Sequence, residues 1–200
     1  MAHVSIIGTG NMGQAIASIV AKGGNTVELF GSTDKDKDVT GELVVLAVPY
    51  PAVQQVIDQR RDQLAGKVVV DITNPLNFET FDSLVVPADS SAAAEIAAAL
   101  PESQVVKAFN TTFAGTVASG KVGDVVTTVQ IAGDDADAKS LLAGIVTAGG
   151  LRAVDAGTLS RARELEALGF LQLTLAVAEK TSWTGGFALQ GPLGGEFAIL

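Results

Sequence analysis

Short apolar runs alternate along the chain with segments in which apolar residues recur at helical spacing. The first run, Val4 to Ile7, is followed from Met12 by apolar positions at i, i+3, i+4, i+7 and i+8, the pattern of one helix face. Gly23 and Gly24 are typical of a helix end, and Thr26 to Phe30 is typical of a strand. The chain therefore opens with a predicted β-α-β unit.

The alternation continues after this unit. Continuous apolar runs without polar alternation are typical of parallel strands that are buried on both faces. Between them, helices are predicted from Pro51 to Gly66, from Ser90 to Leu100 and around Ala138 to Ile145. The later predicted strands are Leu43 to Val48, Val68 to Ile72, Gln104 to Phe109, Thr127 to Ala132 and Leu151 to Asp155. The predicted fold class is α/β, with a doubly wound, mostly parallel sheet.

The segment Gly8 to Gly13 has the spacing G-x-G-x-x-G and stands between the first strand and the first helix. In that position the first glycine permits a tight turn, the second lets a pyrophosphate approach the backbone, and the third lets the helix pack on the strand. Amides at the helix N-terminus then face the phosphates. The segment predicts a Rossmann-type dinucleotide-binding domain over residues 1–157, followed by a short helical appendage over 158–200. A glycine-rich turn without a ligand is the alternative.

The end of the second strand bears on the choice between NAD and NADP. Gly31 and Ser32 stand where an NAD enzyme usually has an acidic residue for the ribose. The hydroxyls of Ser32 and Thr33, with Lys35 nearby, suit a 2′-phosphate and favour NADP. The alternative is a solvated loop in which Asp34 and its acidic neighbours would repel a phosphate.

Polar or proline-containing segments follow three further predicted strands. Ligands in open α/β sheets bind outside the carboxyl ends of strands, so Ala47 to Tyr50 should border the cofactor. Asn74 suits a carboxamide or a substrate edge, or else starts a turn; Asn110 to Phe113 line a substrate pocket or cap a helical turn. The predicted cofactor-binding residues are Gly8, Thr9, Gly10, Asn11, Met12, Gly13, Gly31, Ser32, Thr33, Lys35, Ala47, Val48, Pro49 and Asn74, and the predicted substrate residues are Tyr50, Pro75, Asn110 and Thr111.

Composition narrows the class of partner. A formal net charge of −9 disfavours nucleic acid and anionic membranes, because both require a basic surface. The chain has no cysteine, hence no thiol nucleophile or thiolate metal site, and it shows no signal-peptide pattern, so a cytoplasmic location is predicted. The acidic run Asp34 to Asp38 lacks the glycine and glutamate of a calcium loop, and no metal site is predicted.

A last helix is predicted from Thr158. Its first turns carry charged residues, Arg161 to Glu166, interpreted as a solvated face, although Arg163 reaching an anionic substrate is an alternative. From Ala167 to Ala178 the helix is apolar nearly all round and must be covered, while being too short to span a membrane. Either the sheet or a second copy of the chain could cover this helix, and a homodimer is predicted.

These motifs together resemble the NADPH-dependent reductases of the deazaflavin coenzyme F420, the F420:NADP oxidoreductases, over nearly the whole chain. The residues that carry the resemblance are Gly8 to Gly13, Phe30 to Ser32, Ala47 to Pro49, Asp71 to Pro75, Lys107 to Thr111 and Ala162 to Glu166. The resemblance implies that the pyrophosphate contacts Thr9, Asn11 and Met12, the 2′-phosphate contacts Ser32, and the nicotinamide lies beside Val48, Pro49 and Asn74. Where the family usually has arginines, this chain has Thr33, Asp34 and Lys35, so NAD stays an alternative.

Hydride transfer between two bound rings requires no protein nucleophile, because the cofactors carry the chemistry. His3, the only histidine, lies away from the carboxyl end of its strand, and Tyr50 is expected to pack or stack rather than donate a proton. The predicted function is an NADP-dependent oxidoreductase that transfers hydride to or from a small, flat redox acceptor, with F420 or a flavin as candidate second substrate. The alternatives are an NADPH-dependent reductase of flavins, ferric chelates or small carbonyl or imine compounds, and a non-catalytic NADP-sensing protein.

Overall fold

The computed structural model describes residues 1–191. The strands are β1 His3–Ile7, β2 Thr26–Phe30, β3 Leu43–Leu46, β4 Val68–Asp71, β5 Gln104–Lys107, β6 Lys121–Val122, β7 Val125–Val126, β8 Thr128–Gly133 and β9 Arg152–Gly157. The helices are α1 Asn11–Lys22, α2 Tyr50–Leu64, α3 Ala92–Ala99, α4 Ala114–Ser119, α5 Ala136–Ala148 and α6 Ala162–Val177, the last preceded by a 3₁₀ turn, Leu159–Arg161.

Seven of the strands form one sheet, in the order β2-β1-β3-β4-β5-β8-β9. Neighbouring strands from β2 to β5 are parallel, β8 is antiparallel to β5, and β9 is parallel to β8. The predicted α/β fold, a Rossmann-type and mostly parallel sheet with a C-terminal helix, is confirmed.

The sheet is buried on both faces because successive side chains of each strand point in opposite directions. In β3, Leu43 and Val45 pack into the core beneath α1 and α5. Val44 and Leu46 pack into a second core beneath α2 and α3. This double covering explains why the strand is a continuous apolar run.

Several predicted boundaries move by a few residues, and some elements are new. Strand β3 ends at Leu46, so residues 47–49 form a turn instead of continuing the strand. Helix α3 begins at Ala92, where the Ser91 hydroxyl accepts a hydrogen bond from the Ala94 amide at 3.0 Å. The helical turn considered after Phe113 is the six-residue helix α4, whereas the β6-β7 hairpin was not predicted, because strands of two residues are too short to show a hydrophobic period.

Helix α6 lies at the carboxyl ends of β4 and β5. The Leu165 carbonyl accepts a hydrogen bond from Asn110 at 2.8 Å, and Gln172 donates to the Thr111 carbonyl at 3.3 Å. Within residues 1–191, no helix is long and apolar enough to cross a membrane. The division into 1–157 and 158–200 stays a prediction, and positions 192–200 of that appendage lie outside the described residues.

Candidate functional site

The glycine loop forms a tight turn from β1 into α1. Gly8 has φ of 121°, a value that side-chain-bearing residues rarely adopt, and its amide donates to the Phe30 carbonyl at 2.9 Å. A Cβ on Gly8 would overlap the Ala47 carbonyl, and one on Gly13 would overlap the Gly8 carbonyl. Gly10 differs, because a Cβ there meets no atom within 4 Å. The outer two glycines are therefore needed by the turn itself, and Gly10 leaves open space above the loop.

The first turn of α1 presents amides that no side chain caps. Gly10 occupies the N-cap position without a side-chain hydrogen bond, and no acidic residue stands in the first turn of this described helix. The first amides of a helix have no partners within the helix and carry its positive dipole end. The loop can therefore accept an anion such as a pyrophosphate.

A cleft of about 670 Å³ opens beside this loop, and we name it the glycine-loop cleft. It is lined by Ile7 to Gly10, Phe30 to Ser32, Lys35, Ala47 to Pro49, Ala52, Gln55, Val56, Gln59 and Arg60. The structure thus brings together most of the predicted cofactor-binding residues. Thr33 is exposed beside the cleft, and Gly13 is buried beneath the loop.

The loop after β2 is stabilised from within by Asp34. Its carboxylate accepts a hydrogen bond from the Gly31 amide at 2.8 Å and pairs with the Lys37 ammonium at 2.7 Å. Lys37, and then the Gly31 amide, hold the pKa of Asp34 below its ordinary value. Ser32 and Lys35 are exposed and line the cleft, so a hydroxyl and an ammonium stand there beside one ionised carboxylate.

Arg60 of α2 is a residue of this cleft that the sequence interpretation missed. Its side chain donates to the Lys37 carbonyl at 2.7 Å and to the Asp34 carbonyl at 2.5 Å, and its guanidinium lies 5.1 Å from the centre of the Phe30 ring. The sequence does indicate that Arg60 faces inward, because position 60 shares the helical spacing of the buried residues Val53, Ile57 and Leu64. A charged residue on a buried helix face indicates a specific set of partners.

A second cleft, of about 350 Å³, borders the start of α1, and we name it the asparagine cleft. Its lining residues are Asn11, Met12, Asn74, Asn110, Thr112, Phe113, Ala114, Leu173 and Trp183. They come from α1, from the segments after β4 and β5, from α4, from α6 and from the segment after α6. Four predicted site residues, Asn11, Met12, Asn74 and Asn110, therefore meet here rather than in the glycine-loop cleft.

Asn74 and Asn110 form a reciprocal pair. The Asn74 amide donates to the Asn110 carbonyl at 3.0 Å, and the Asn110 amide donates to Asn74 Oδ1 at 3.0 Å. Asn110 Oδ1 is buried and has no hydrogen-bond partner among residues 1–191. A Cβ on Gly169 of α6 would overlap Asn74 Oδ1, so only glycine lets the helix approach this closely. An unpaired acceptor in a buried position is costly and suits a ligand that supplies an N–H or O–H donor.

A buried ion network fixes α6 to the sheet next to this pair. Lys107 at the end of β5 pairs with Asp71 and with Glu166, each at 2.8 Å, and all three side chains are at most 1% exposed. Glu166 also accepts from the amides of Ala92 and Ala93, at 2.9 and 3.3 Å, and so caps α3. Burial raises the pKa of Glu166, and Lys107 partly offsets that effect.

The network corrects one prediction. Glu166 does not belong to a solvated charged face, because the inward positions of α6 recur at helical spacing and include it between Leu165 and Gly169. The helical spacing of Glu166 with its buried neighbours indicates an inward position, whereas its charge alone suggests a surface position. Arg163, by contrast, is exposed and pairs with Glu164 at 2.7 Å. It lines neither the glycine-loop cleft nor the asparagine cleft.

The structure does not bring the remaining predicted substrate residues into either cleft. Tyr50 lines a separate hollow between α2 and α3, where its hydroxyl donates to Glu95. Burial, and then the Glu95 carboxylate, raise the pKa of the Tyr50 phenol above its ordinary range. Pro75 and Thr111 are buried behind the asparagine cleft, where their carbonyls accept hydrogen bonds from Val85 and Gln172.

The fold and the glycine-loop cleft define a Rossmann-type dinucleotide-binding protein. Residues 32–75 match the model of a family described as NADP oxidoreductase, coenzyme F420-dependent. The F420-dependent NADP reductase of Methanocaldococcus jannaschii is 31% identical over 171 residues, an alignment that covers 84% of this chain and 76% of that one. The chain belongs to the family of F420-dependent NADP reductases, and it is an NADP-dependent oxidoreductase.

Other known proteins are similar to this chain in sequence or in fold. A crystal structure of a candidate F420-dependent NADP-reductase from Arthrobacter sp. FB24 superposes with a TM-score of 0.80 at 26% identity, covering 94% of this chain and 99% of that chain. Rat metalloreductase STEAP3 is 29% identical over 82% of this chain, which spans only 36% of that protein. An imine reductase from Streptomyces aurantiacus, at 17% identity and a TM-score of 0.64, shares the fold.

Proposed function

We propose that the protein binds NADPH in the glycine-loop cleft and passes its hydride to a flat redox ring in the asparagine cleft, with a deazaflavin of the F420 type as the substrate. The observation that carries this proposal is the position of the loop between the clefts. Residues 8–10 line the first cleft, and the next two residues, Asn11 and Met12, line the second. A dinucleotide that follows the loop would bring its nicotinamide towards the asparagine cleft.

The glycine-loop cleft suits NADP in two respects. The uncapped amides at the start of α1 suit the pyrophosphate, and Gly10 leaves room for it. Ser32 and Lys35 offer a hydroxyl and a positive charge to the 2′-phosphate, while Arg60 fixes the loop that carries them. The pairing of Asp34 with Lys37 reduces the repulsion that its charge would exert.

The asparagine cleft suits a flat heterocycle. Met12, Phe113 and Leu173 supply apolar surface, and the carboxamides of Asn74 and Asn110 supply hydrogen-bonding groups. The side chains of Asn74 and Asn110 line the cleft and would offer hydrogen bonds to the ring or to the nicotinamide carboxamide. When bound, NADPH supplies two electrons and a proton as hydride; the chain orients the rings and excludes water. Tyr50, paired with Glu95 and raised in pKa, is not used as an acid.

A second candidate substrate is a ferric chelate or a flavin. The similarity to rat metalloreductase STEAP3 is the reason to test a ferric chelate, although this chain spans only a part of that protein. A ferric chelate accepts single electrons, whereas the nicotinamide gives up a hydride, so a deazaflavin, which accepts hydride, is the first candidate.

The test is a binding measurement followed by an acceptor panel. NADPH and NADH are titrated separately, and NADPH oxidation is then followed with a 5-deazaflavin, FMN, a quinone and a ferric chelate. We expect tighter binding of NADPH and fastest turnover with the deazaflavin. If the protein binds neither NADPH nor NADH, the proposal is wrong. Tight binding of NADPH that no acceptor oxidises would favour an NADP-sensing protein.

We also propose that the protein is a homodimer, joined through the apolar surface of α6. Leu171 and Val177 of this helix are 49% and 45% exposed, and Phe187 and Leu189 after it are also exposed. Exposed apolar side chains grouped in this way are typical of an interface. Light scattering of the wild type and of Leu171→Glu tests this, and a monomeric wild type would contradict it.

A further inference from the structure

The segment after α6, residues 178–187, folds back towards the asparagine cleft, and we name it the strap. Gln172, buried in α6, holds it with one side chain. Its amide donates to the Thr111 carbonyl at 3.3 Å, and its Oε1 accepts from the Phe187 amide at 2.9 Å. One residue therefore ties the strap to the segment that follows β5.

The strap packs closely on α4. A Cβ on Gly115 would lie 3.0 Å from both the Trp183 carbonyl and a Thr184 methyl carbon, so the helix presents its backbone to the strap. The Trp183 ring lies 5.0 Å from the Phe113 ring, centre to centre, at an interplanar angle of 56°. Such tilted aromatic pairs are favourable beyond their buried area. Trp183 is therefore held by its backbone and by the contact of its ring with Phe113.

Trp183 keeps 53% of its surface exposed even though it is fixed in this way. It lines the asparagine cleft, whose carboxamides come from Asn74 and Asn110. A large aromatic side chain gains most of its stabilisation from burial, so a fixed but half-exposed indole has unused stacking surface. Its position in a cleft with polar groups is that of a wall for a ring-shaped ligand.

We propose that Trp183, held in the strap by Gln172, is the aromatic wall on which the flat ring of the acceptor stacks. This inference rests on the proposed function of the asparagine cleft and assigns two roles. Trp183 determines specificity by contact with the ring, and Gln172 is a positioning residue that acts through the strap. The substrate class that follows is an extended, flat heteroaromatic ring, in preference to small carbonyl compounds or ferric chelates.

The first test measures binding without turnover. Trp183 is the only tryptophan of the chain, so its emission reports on this cleft alone. We expect oxidised FMN or a 5-deazaflavin to quench the emission, and to do so also when NADP⁺ already occupies the glycine-loop cleft. A parallel titration of N-acetyltryptophanamide at matched absorbance corrects for the light that the added flavin or deazaflavin absorbs. Saturable quenching supports the inference, and quenching no greater than that of the free indole overturns it.

The second test distinguishes an effect on acceptor binding from an effect on nucleotide binding. We expect Trp183→Ala to raise KM for the flat acceptor about tenfold or more, because stacking of one ring on an aromatic side chain has about this effect. Trp183→Phe should retain part of the affinity. The Kd of NADPH should change much less than this KM, because most of the nucleotide is held in the glycine-loop cleft. An unchanged KM in a folded Trp183→Ala variant would overturn the inference and leave the proposed function standing.

The positioning role of Gln172 has its own readout. Gln172→Ala should raise KM for the flat acceptor and also increase quenching of Trp183 by acrylamide, because the strap loses its attachment. Glu164→Gln is the matched control, since Glu164 is exposed on the same helix and does not line the asparagine cleft. If acrylamide quenching and KM are both unchanged in Gln172→Ala, the positioning role is wrong.

The two proposals fail separately. If the wild type transfers no hydride to any flat acceptor, the proposed function is wrong, and the emission measurement still decides whether such rings bind at Trp183. Thermal melting of each variant verifies folding. Should Trp183→Ala not fold, Trp183→Phe and the quenching of the wild type decide the question.

Discussion

The two clefts are built in different ways. The glycine-loop cleft is centred on three consecutive residues, Gly8 to Gly10, in the tight turn from β1 into α1. The asparagine cleft is made of side chains from several elements, and Asn110 and Trp183 are separated by more than seventy residues in the chain. The first depends on local geometry, and the second depends on where α6 and the strap are placed.

This difference predicts different sensitivities. A change in the glycine loop should affect the nucleotide and leave the acceptor side formed. A change in the network of Lys107, Asp71 and Glu166 should move α6 and therefore the asparagine cleft. The following predictions test that separation, from the largest expected effect to the smallest.

Lys107→Met should have the largest effect. It leaves two buried carboxylates without a counter-charge, and loss of one partner from a buried ion pair typically costs about 3–5 kcal/mol of folding free energy. We expect urea unfolding to report this loss, and KM for the acceptor to rise more than the Kd of NADPH. Lys139→Met is the control, because Lys139 is also buried and pairs with Asp155 at 2.7 Å in α5 and β9. A selective loss of NADPH affinity in Lys107→Met would contradict the claim that the network acts on the asparagine cleft.

Gly10→Val should weaken NADPH binding by about a hundredfold with little change in stability. A Cβ at this position meets no protein atom within 4 Å, and the valine side chain would fill the space through which the pyrophosphate must approach. Fluorescence titration and thermal melting measure the two effects. Gly144→Val is the control, since Gly144 in α5 also has nothing within 4 Å of a Cβ. Unchanged affinity in Gly10→Val would show that the phosphates lie elsewhere.

Arg60→Gln should raise the Kd of NADPH about tenfold, in the range expected when a charged hydrogen-bond donor is lost. The carbonyls of Asp34 and Lys37 would lose their guanidinium partner, and the loop that presents Ser32 would loosen. Calorimetric titration measures the change. Arg61→Gln is the control, because the neighbouring Arg61 faces the Ala99 carbonyl and solvent. Equal effects of the two variants would contradict a specific role for Arg60.

The stability of the network should depend on pH through Glu166. Burial raises the pKa of this carboxyl, so the folded state keeps a proton that the unfolded chain has already lost. The free energy of unfolding should therefore fall as pH rises from the unfolded pKa, about 4.3, through the raised one, by at most about 1.4 kcal/mol per pH unit. Urea unfolding at successive pH values should show this slope reduced in Glu166→Gln and retained in Glu102→Gln, an exposed control.

Asp34→Asn should have the smallest effect, a gain in NADP⁺ affinity of about two- to threefold, because exposed charges interact weakly in water. The carboxamide can still accept from the Gly31 amide, but the negative charge is removed and Lys37 loses its counter-ion. NAD⁺ affinity should not change, because it lacks the 2′-phosphate. Calorimetry with both nucleotides measures the ratio, and Asp36→Asn provides the exposed comparison. A parallel gain for NAD⁺ would exclude a 2′-phosphate site at this loop.

Sequence reasoning succeeded where a property depends on neighbouring residues. The predicted β-α-β unit and its glycine turn, and the parallel strands, follow from periods and turns within a few residues. The same spacing rules place Arg60 and Glu166 on inward faces, but Glu166 was interpreted as a surface charge and Arg60 was not singled out. Their partners, Lys37 and Lys107, come from segments distant in the chain, and no local pattern specifies such a meeting.

By itself, the sequence determined the strands, the helices and the loop that can hold a dinucleotide, because those features arise from local conformational preference and periodic burial. Only the tertiary structure decided that Lys107 would neutralise Glu166, that Gly169 would let α6 reach Asn74, and that Trp183 would border a cleft. These contacts join segments far apart in the chain. Their existence depends on the packing of the whole sheet with α6, which no short stretch of residues encodes.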